Sequence, residues 1–153
     1  EYHEMADSLE YILKFFEPFF GCRLPIDENN SCLVKMTNGL KIQIELNRDE
    51  QILIGCRLGQ PMGSYKQQLL LKALEWHALF PPGSGIFGLS TTSQQLIFFL
   101  IKNTQEIQQE QISDWLTPFL ETAKRWKEAM EAATLPTVED PPKSFSGLFE
   151  LSR

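Results

Sequence analysis

Between residues 5 and 20 the apolar positions Met5, Leu9, Ile12, Leu13, Phe16, Phe19 and Phe20 recur at helical spacing. That spacing predicts a helix with one buried stripe. Asp7 and Ser8 offer capping oxygens near its start, and Pro18 strains or ends its last turn. Phe15 falls off the stripe, on the wetter side. After a loop at 24–30, "SCLVKM" at 31–36 and "LKIQIEL" at 40–46 read as strands, with clean alternation in the second. Asn38-Gly39 tolerates positive φ and predicts a hairpin turn between them. A tight connection at 47–50 leads to a third strand at 51–59, so three adjacent antiparallel strands follow.

Parity assigns the faces of this hairpin. Directly opposed residues of an antiparallel pair lie on the same side. A two-residue Asn38-Gly39 loop puts Leu33 and Lys35 with Leu40, Ile42 and Ile44. It leaves Cys32, Val34 and Met36 on the other side. An odd loop or a bulge reverses the assignment.

"QPMGS" at 60–64 breaks the chain, with Ser64 a candidate N-cap for a helix at 65–80. The apolar arc of that helix is wide, running through Leu69, Leu70, Leu71, Ala73, Leu74, Trp76, Ala78, Leu79 and Phe80. One sheet needs one stripe, so this arc implies burial on two sides. A turn at 81–85 precedes strands at 86–92 and 94–103. The second, "QQLIFFLIKN", has six consecutive large apolar residues that point to both of its faces. A polar connector at 104–110 leads to a helix at about 111–132. Ile112, Trp115, Leu116, Phe119, Leu120, Ala123, Trp126 and Met130 share one face of it, and Pro118 lies near its start. The pattern predicts an α+β fold in α-β-β-β-α-β-β-α order, built on one antiparallel twisted sheet. One domain, residues 1–133, is followed by a Pro-rich extended tail, 134–153. The tail has no period but keeps Phe145, Leu148, Phe149 and Leu151, which suits docking into a groove better than a pure linker.

Composition narrows the function classes. The 153 residues are 42% hydrophobic and 22% charged, ordinary for one globular domain with a core. The net charge of −6 and the lack of a basic stripe argue against nucleic-acid binding. The longest apolar run is too short to span a bilayer, and no secretory leader pattern is present. Three scattered cysteines, Cys22, Cys32 and Cys56, read as buried thiols in a reducing compartment.

Candidate chemistry is sparse. "GSGIFG" at 83–88 matches G-x-G-x-x-G, but a dinucleotide site needs a strand before it and a helix after. Here the order is reversed, which leaves a turn and a strand glycine. His77 sits in the apolar arc of the second helix, as a core or interface residue. No histidine–cysteine spacing suits a metal, and no nucleophile elbow or carboxylate pair stands out. No catalytic residue, cofactor or metal is expected. What remains is apolar surface in excess of a small core: the two-sided strand, the two-sided helix, and Phe15, Val34 and Met36 off the core face.

The element order resembles the class I type III secretion chaperones of the Tir-chaperone family. The likeness is carried by "FFEPFFG", "CLVKMTNGLKIQIEL", "QILIGCRLG", "LLLKALEWHALF", "GIFGLSTTSQQLIFF" and "WLTPFLETAKRWKEAM". The resemblance implies a homodimer in the bacterial cytoplasm, without nucleotide-binding or hydrolytic activity. It implies that the dimer holds the N-terminal segment of a secreted effector in extended, secretion-competent form. It places effector contacts on the first helix and neighbouring sheet, where Phe15, Phe19, Val34, Met36 and Ile44 are the candidates. Ile44 qualifies only if the hairpin loop is odd or bulged. The wide helical arc nominates Leu70, Ala73, Leu74 and His77, with Phe87 and Leu89 on the adjoining strand, for the dimer interface. A heterodimer with another chaperone, or a regulator that sequesters a partner, fits the same features. So does a small ligand-binding or enzymatic α+β domain whose pocket is lined by phenylalanines and Cys56.

Overall fold

A computed structural model describes residues 2–139, with side chains from Leu9 onward. The first helix, α1, spans Tyr2–Phe20, so Asp7 and Ser8 lie inside it rather than capping its start. Gly21 ends it in a left-handed conformation, φ +70°, with its amide donating to the Glu17 carbonyl at 2.8 Å. The Glu17 carboxylate accepts from the Leu24 amide at 2.9 Å and ties the following loop back to the helix.

Five strands follow in one antiparallel sheet: β1 (Ser31–Lys35), β2 (Lys41–Leu46), β3 (Gln51–Gly59), β4 (Ile86–Leu89) and β5 (Leu96–Asn103). Their spatial order is β1-β2-β3-β5-β4. Helix α2 (Gly63–Leu79) joins β3 to β4, and α3 (Ile112–Glu131) closes the domain. The element order is the one the sequence predicts. Several boundaries shift by a few residues. Helix α2 begins at Gly63 with Met62 at the N-cap and no side-chain cap, so Ser64 is already helical. The β4–β5 turn takes residues 90–95, because the Ser90 amide donates to the Gln95 carbonyl and Gln94 is left-handed.

The first hairpin corrects the face assignment. Its loop has three residues, Thr37–Gly39, closed by the Met36 amide donating to Leu40 and the Gly39 amide donating to Met36. Gly39 takes φ +92°, the left-handed position of a three-residue hairpin loop. Val34 therefore opposes Ile42, and Cys32 opposes Ile44. All four are buried on the face that the helices cover, whereas Leu33 points outward.

Helices α1 and α3 pack on that inner face. Phe16, Ile42, Ile54, Phe98, Phe119 and Trp126 are almost completely inaccessible. Phe98 stacks on Phe119 at 4.7 Å and on Phe87 at 4.3 Å, and Phe87 packs on Trp126 at 4.0 Å. On β5, Leu96, Phe98 and Leu100 enter this core, while Ile97 and Phe99 are half-buried and Ile101 is exposed on the outer face. Leu53 and Ile86 pair with Ile101 and Phe99 there, so one half of the outer face is apolar. Among the described residues no helical layer covers the second side of "QQLIFFLIKN".

Candidate functional site

Tyr11 and Phe15 lie one turn apart on α1 and pack edge to face at 5.3 Å. With Ile12 they form one wall of a surface groove of about 530 Å³. The facing wall comes from distant segments: Leu46 at the end of β2, Glu50 in the β2–β3 turn, and Thr104, Gln105 and Ile107 after β5. The Thr104 amide donates to the Glu50 carbonyl at 3.0 Å, which holds the connector against the turn. Tyr11 is 62% exposed and, with Phe15 beside it, leaves apolar ring surface open at the groove. The groove has largely apolar walls, and its polar groups are the Glu50 carboxylate, the Gln105 amide and the hydroxyls of Thr104 and Tyr11. It holds no nucleophile with a neighbouring base.

The sequence-based candidates divide. Phe15 lines the groove. Phe19 is half-buried and packs edge to face on Phe20 at 5.1 Å. Met36 is half-buried against the core beside the hairpin loop. Val34 and Ile44 are core residues, 7% and 0% exposed: the three-residue loop brings Val34 to the buried face of Ile42 and Ile44, so Ile44 is in the core even though the loop is odd, and neither belongs to a free surface. Tyr11, Leu46, Glu50, Thr104, Gln105 and Ile107 escaped the sequence reading. Tyr11 had a signal, its one-turn spacing from Phe15. The others are brought together only by the fold.

A second surface lies on α2. Leu71 and Leu74 are 61% and 63% exposed, and Leu70 is half-buried. Ala73 and Phe87 point inward and are buried, which removes them from the expected interface. His77 is exposed, and its Nε2 accepts the Phe87 amide at 3.0 Å, covering part of the free edge of β4. Leu89 is half-buried on the same strand.

The cysteines are separate from both surfaces. Burial first, and the nearby Asp27 carboxylate second, push the Cys32 thiol up to about 11. Burial pushes Cys56 up to about 12, and its thiol donates to the Phe98 carbonyl at 3.7 Å. Both stay protonated at neutral pH and are poor nucleophiles. Maleimide at pH 7.5 is expected to label the folded chain once, at the exposed Cys22; intact mass checks this, and two or three rapid labels would contradict the burial. Among the described residues no group of three His, Cys, Asp or Glu side chains is placed to hold a metal. No described helix is long and apolar enough to cross a membrane.

The model of the Tir chaperone protein (CesT) family matches residues 11–127, most of the chain. The chain belongs to the CesT family. The match takes in α1 from Tyr11, the whole sheet, α2 and most of α3, and so both surfaces described above. Solved structures share this CesT fold at low identity. The Yersinia pestis type III secretion chaperone SycH, in complex with a stable fragment of YscM2, matches with TM-score 0.61 and 17% identity. That match covers 75% of this chain and 96% of the other. The HopA1–SchA chaperone–effector complex matches with TM-score 0.61 and 19% identity, over 80% of this chain and 97% of the other. The ExoT–SpcS complex of Pseudomonas aeruginosa matches with TM-score 0.57 and 16% identity, over 76% and 95%. No curated protein matches the chain. CesT proteins are a chaperone family.

Proposed function

We propose that this protein is a type III secretion chaperone that holds the N-terminal segment of a secreted effector in extended form. The observation that carries the reading is the apolar α1 groove, with exposed Tyr11 beside Phe15, in a CesT-family chain. An extended segment places alternate side chains in such a groove while its backbone stays near a sheet. Phe19 and Met36 extend the proposed contact surface. Chaperone–effector pairing in the HopA1–SchA structure supports the same use. The net charge of −6 favours segments with basic flanks. The proposed protein works in the bacterial cytoplasm, carries no cofactor and performs no catalysis. Co-expression with effector N-terminal segments tests this: one of them is expected to co-purify in stoichiometric amount. Failure of every segment from the same secretion system to do so would reject the reading.

The proposed working unit is a homodimer built through the α2 stripe, Leu70, Leu71 and Leu74, with His77 and Leu89 beside it. Leu74→Glu removes an exposed apolar side chain and sets two charges against each other across a two-fold axis. Because Leu74 is 63% exposed, the variant is expected to fold and to run as a monomer of about half the native mass. Light scattering reads this directly, and unchanged mass would place the interface elsewhere. A native mass matching two unlike chains from cells would replace the homodimer by a heterodimer.

A further inference from the structure

Helix α3 ends in a chain reversal that steers the C-terminal residues back along the helix. The Ala133 amide donates to the Met130 carbonyl and the Thr134 amide to the Ala129 carbonyl, at 3.2 and 2.9 Å. This is a Schellman ending, and it holds Ala133 at φ +55°, a conformation that glycine normally takes. The returning strand is pinned. Tyr65 donates its hydroxyl proton to the Thr134 carbonyl at 2.7 Å, and Arg125 donates to the Thr137 carbonyl. Pro136 is buried and Val138 packs on the core. Thr137 lies beside Arg125, six residues back from Glu131, so the chain runs antiparallel to α3 toward the helix's start.

The α1 groove lies toward that start. Ile107 of the groove precedes Ile112, the first residue of α3, and Phe16 of α1 packs on Trp115 at 6.0 Å. From Arg125 to Ile112 the helix spans about 20 Å. Residues 140–153 are fourteen in number and reach about 45 Å when extended. Their apolar residues, Phe145, Leu148, Phe149 and Leu151, come six to twelve positions after Glu139, at a reach of about 20–40 Å. Lys143 stands two positions before Phe145, and Glu50 stands on the groove rim.

We propose that residues 140–153 occupy the α1 groove of their own chain, with Phe145, Leu148 and Phe149 against Tyr11 and Phe15. This rests on the groove being the effector site, and it makes the C-terminal segment a built-in competitor for that site. It covers the exposed rings while no effector is present and is displaced when one arrives.

The test uses the full chain, with a nitroxide on Ser152→Cys in a Cys22→Ser background. Amide NMR signals of Tyr11, Phe15 and Gln105 are expected to be lost through paramagnetic broadening. They are expected to return when Phe145→Glu, Leu148→Glu and Phe149→Glu are introduced. Full intensity before those changes, or broadening that survives them, would overturn the proposal. So would broadening of ¹⁵N chains that lack the nitroxide, mixed with labelled chains, because it would assign the segment to a neighbouring copy. The two readings fail separately. Groove broadening without capture of any effector segment rejects only the effector role. Capture without broadening rejects only the competitor.

Discussion

Replacing Tyr11 and Phe15 together by Glu is expected to abolish effector capture and to leave the native mass unchanged. Both rings face the groove, and neither sits at the centre of the core. Covering an apolar side chain contributes about 1.5–3 kcal/mol, so losing two weakens binding by about a hundredfold or more. The new carboxylates beside Glu50 add repulsion in a site that also has to be desolvated. Titration calorimetry with the captured segment measures the loss, and circular dichroism checks the fold. Phe15 is half-buried, so Tyr11→Glu alone serves as a gentler variant and is expected to weaken binding at least about tenfold. Unchanged affinity in both variants would move the site away from α1.

Gly85→Ala is expected to be the most damaging Gly→Ala change among the described glycines. A Cβ there would lie 2.2 Å from Cζ and 2.5 Å from Cε1 of Phe98. That ring is wedged between Phe87 and Phe119 and is almost completely inaccessible, so it has nowhere to go. Gly85 also holds φ +128°, which alanine resists, and its carbonyl accepts the Trp76 indole N–H at 3.1 Å. Overpacking and backbone strain together cost about 2–6 kcal/mol, a large share of a typical domain's stability. Urea unfolding measures it. Gly83→Ala, where the added carbon meets open space, is the matched control and is expected to be nearly neutral. Equal midpoints for the two variants would contradict the packing described.

Gly85 also illustrates how far the sequence could be read. Its place in a G-x-G-x-x-G with helix and strand in reversed order argues against a dinucleotide site. Its role under the Phe98 ring follows from the fold alone. The element order was legible because the helical stripes, the alternating β2 and the turn residues act locally. The face of β1 was not, since it depends on whether the loop holds two residues or three, a single-residue difference that reverses every side chain. That ambiguity sent Val34 to the wrong surface; Ile44 lies on the core face that the alternation of β2 gives it, and its nomination under an odd loop failed although the loop is odd. Helix α2 presented a different difficulty. Apolar residues surround it, so periodicity could not tell that Ala73 enters the core while Leu74 faces outward. Phe15 stood out because it leaves the stripe of an otherwise regular helix. Its partners Leu46, Glu50 and Ile107 had no local signal, because the groove is assembled from three segments far apart in sequence.

The central claim is that this chain binds effector segments without folding them. Hydrogen exchange on a purified complex, read by mass spectrometry and preceded by native mass measurement, tests it most directly. Two copies of the chain are expected with one effector segment, with protection confined to short stretches of the segment and to the chain's α1 and Ile107 region. Loss of that protection in the Tyr11→Glu, Phe15→Glu variant belongs to the same prediction. A bound segment protected throughout like a folded domain, or protection of the chain away from α1, would contradict it.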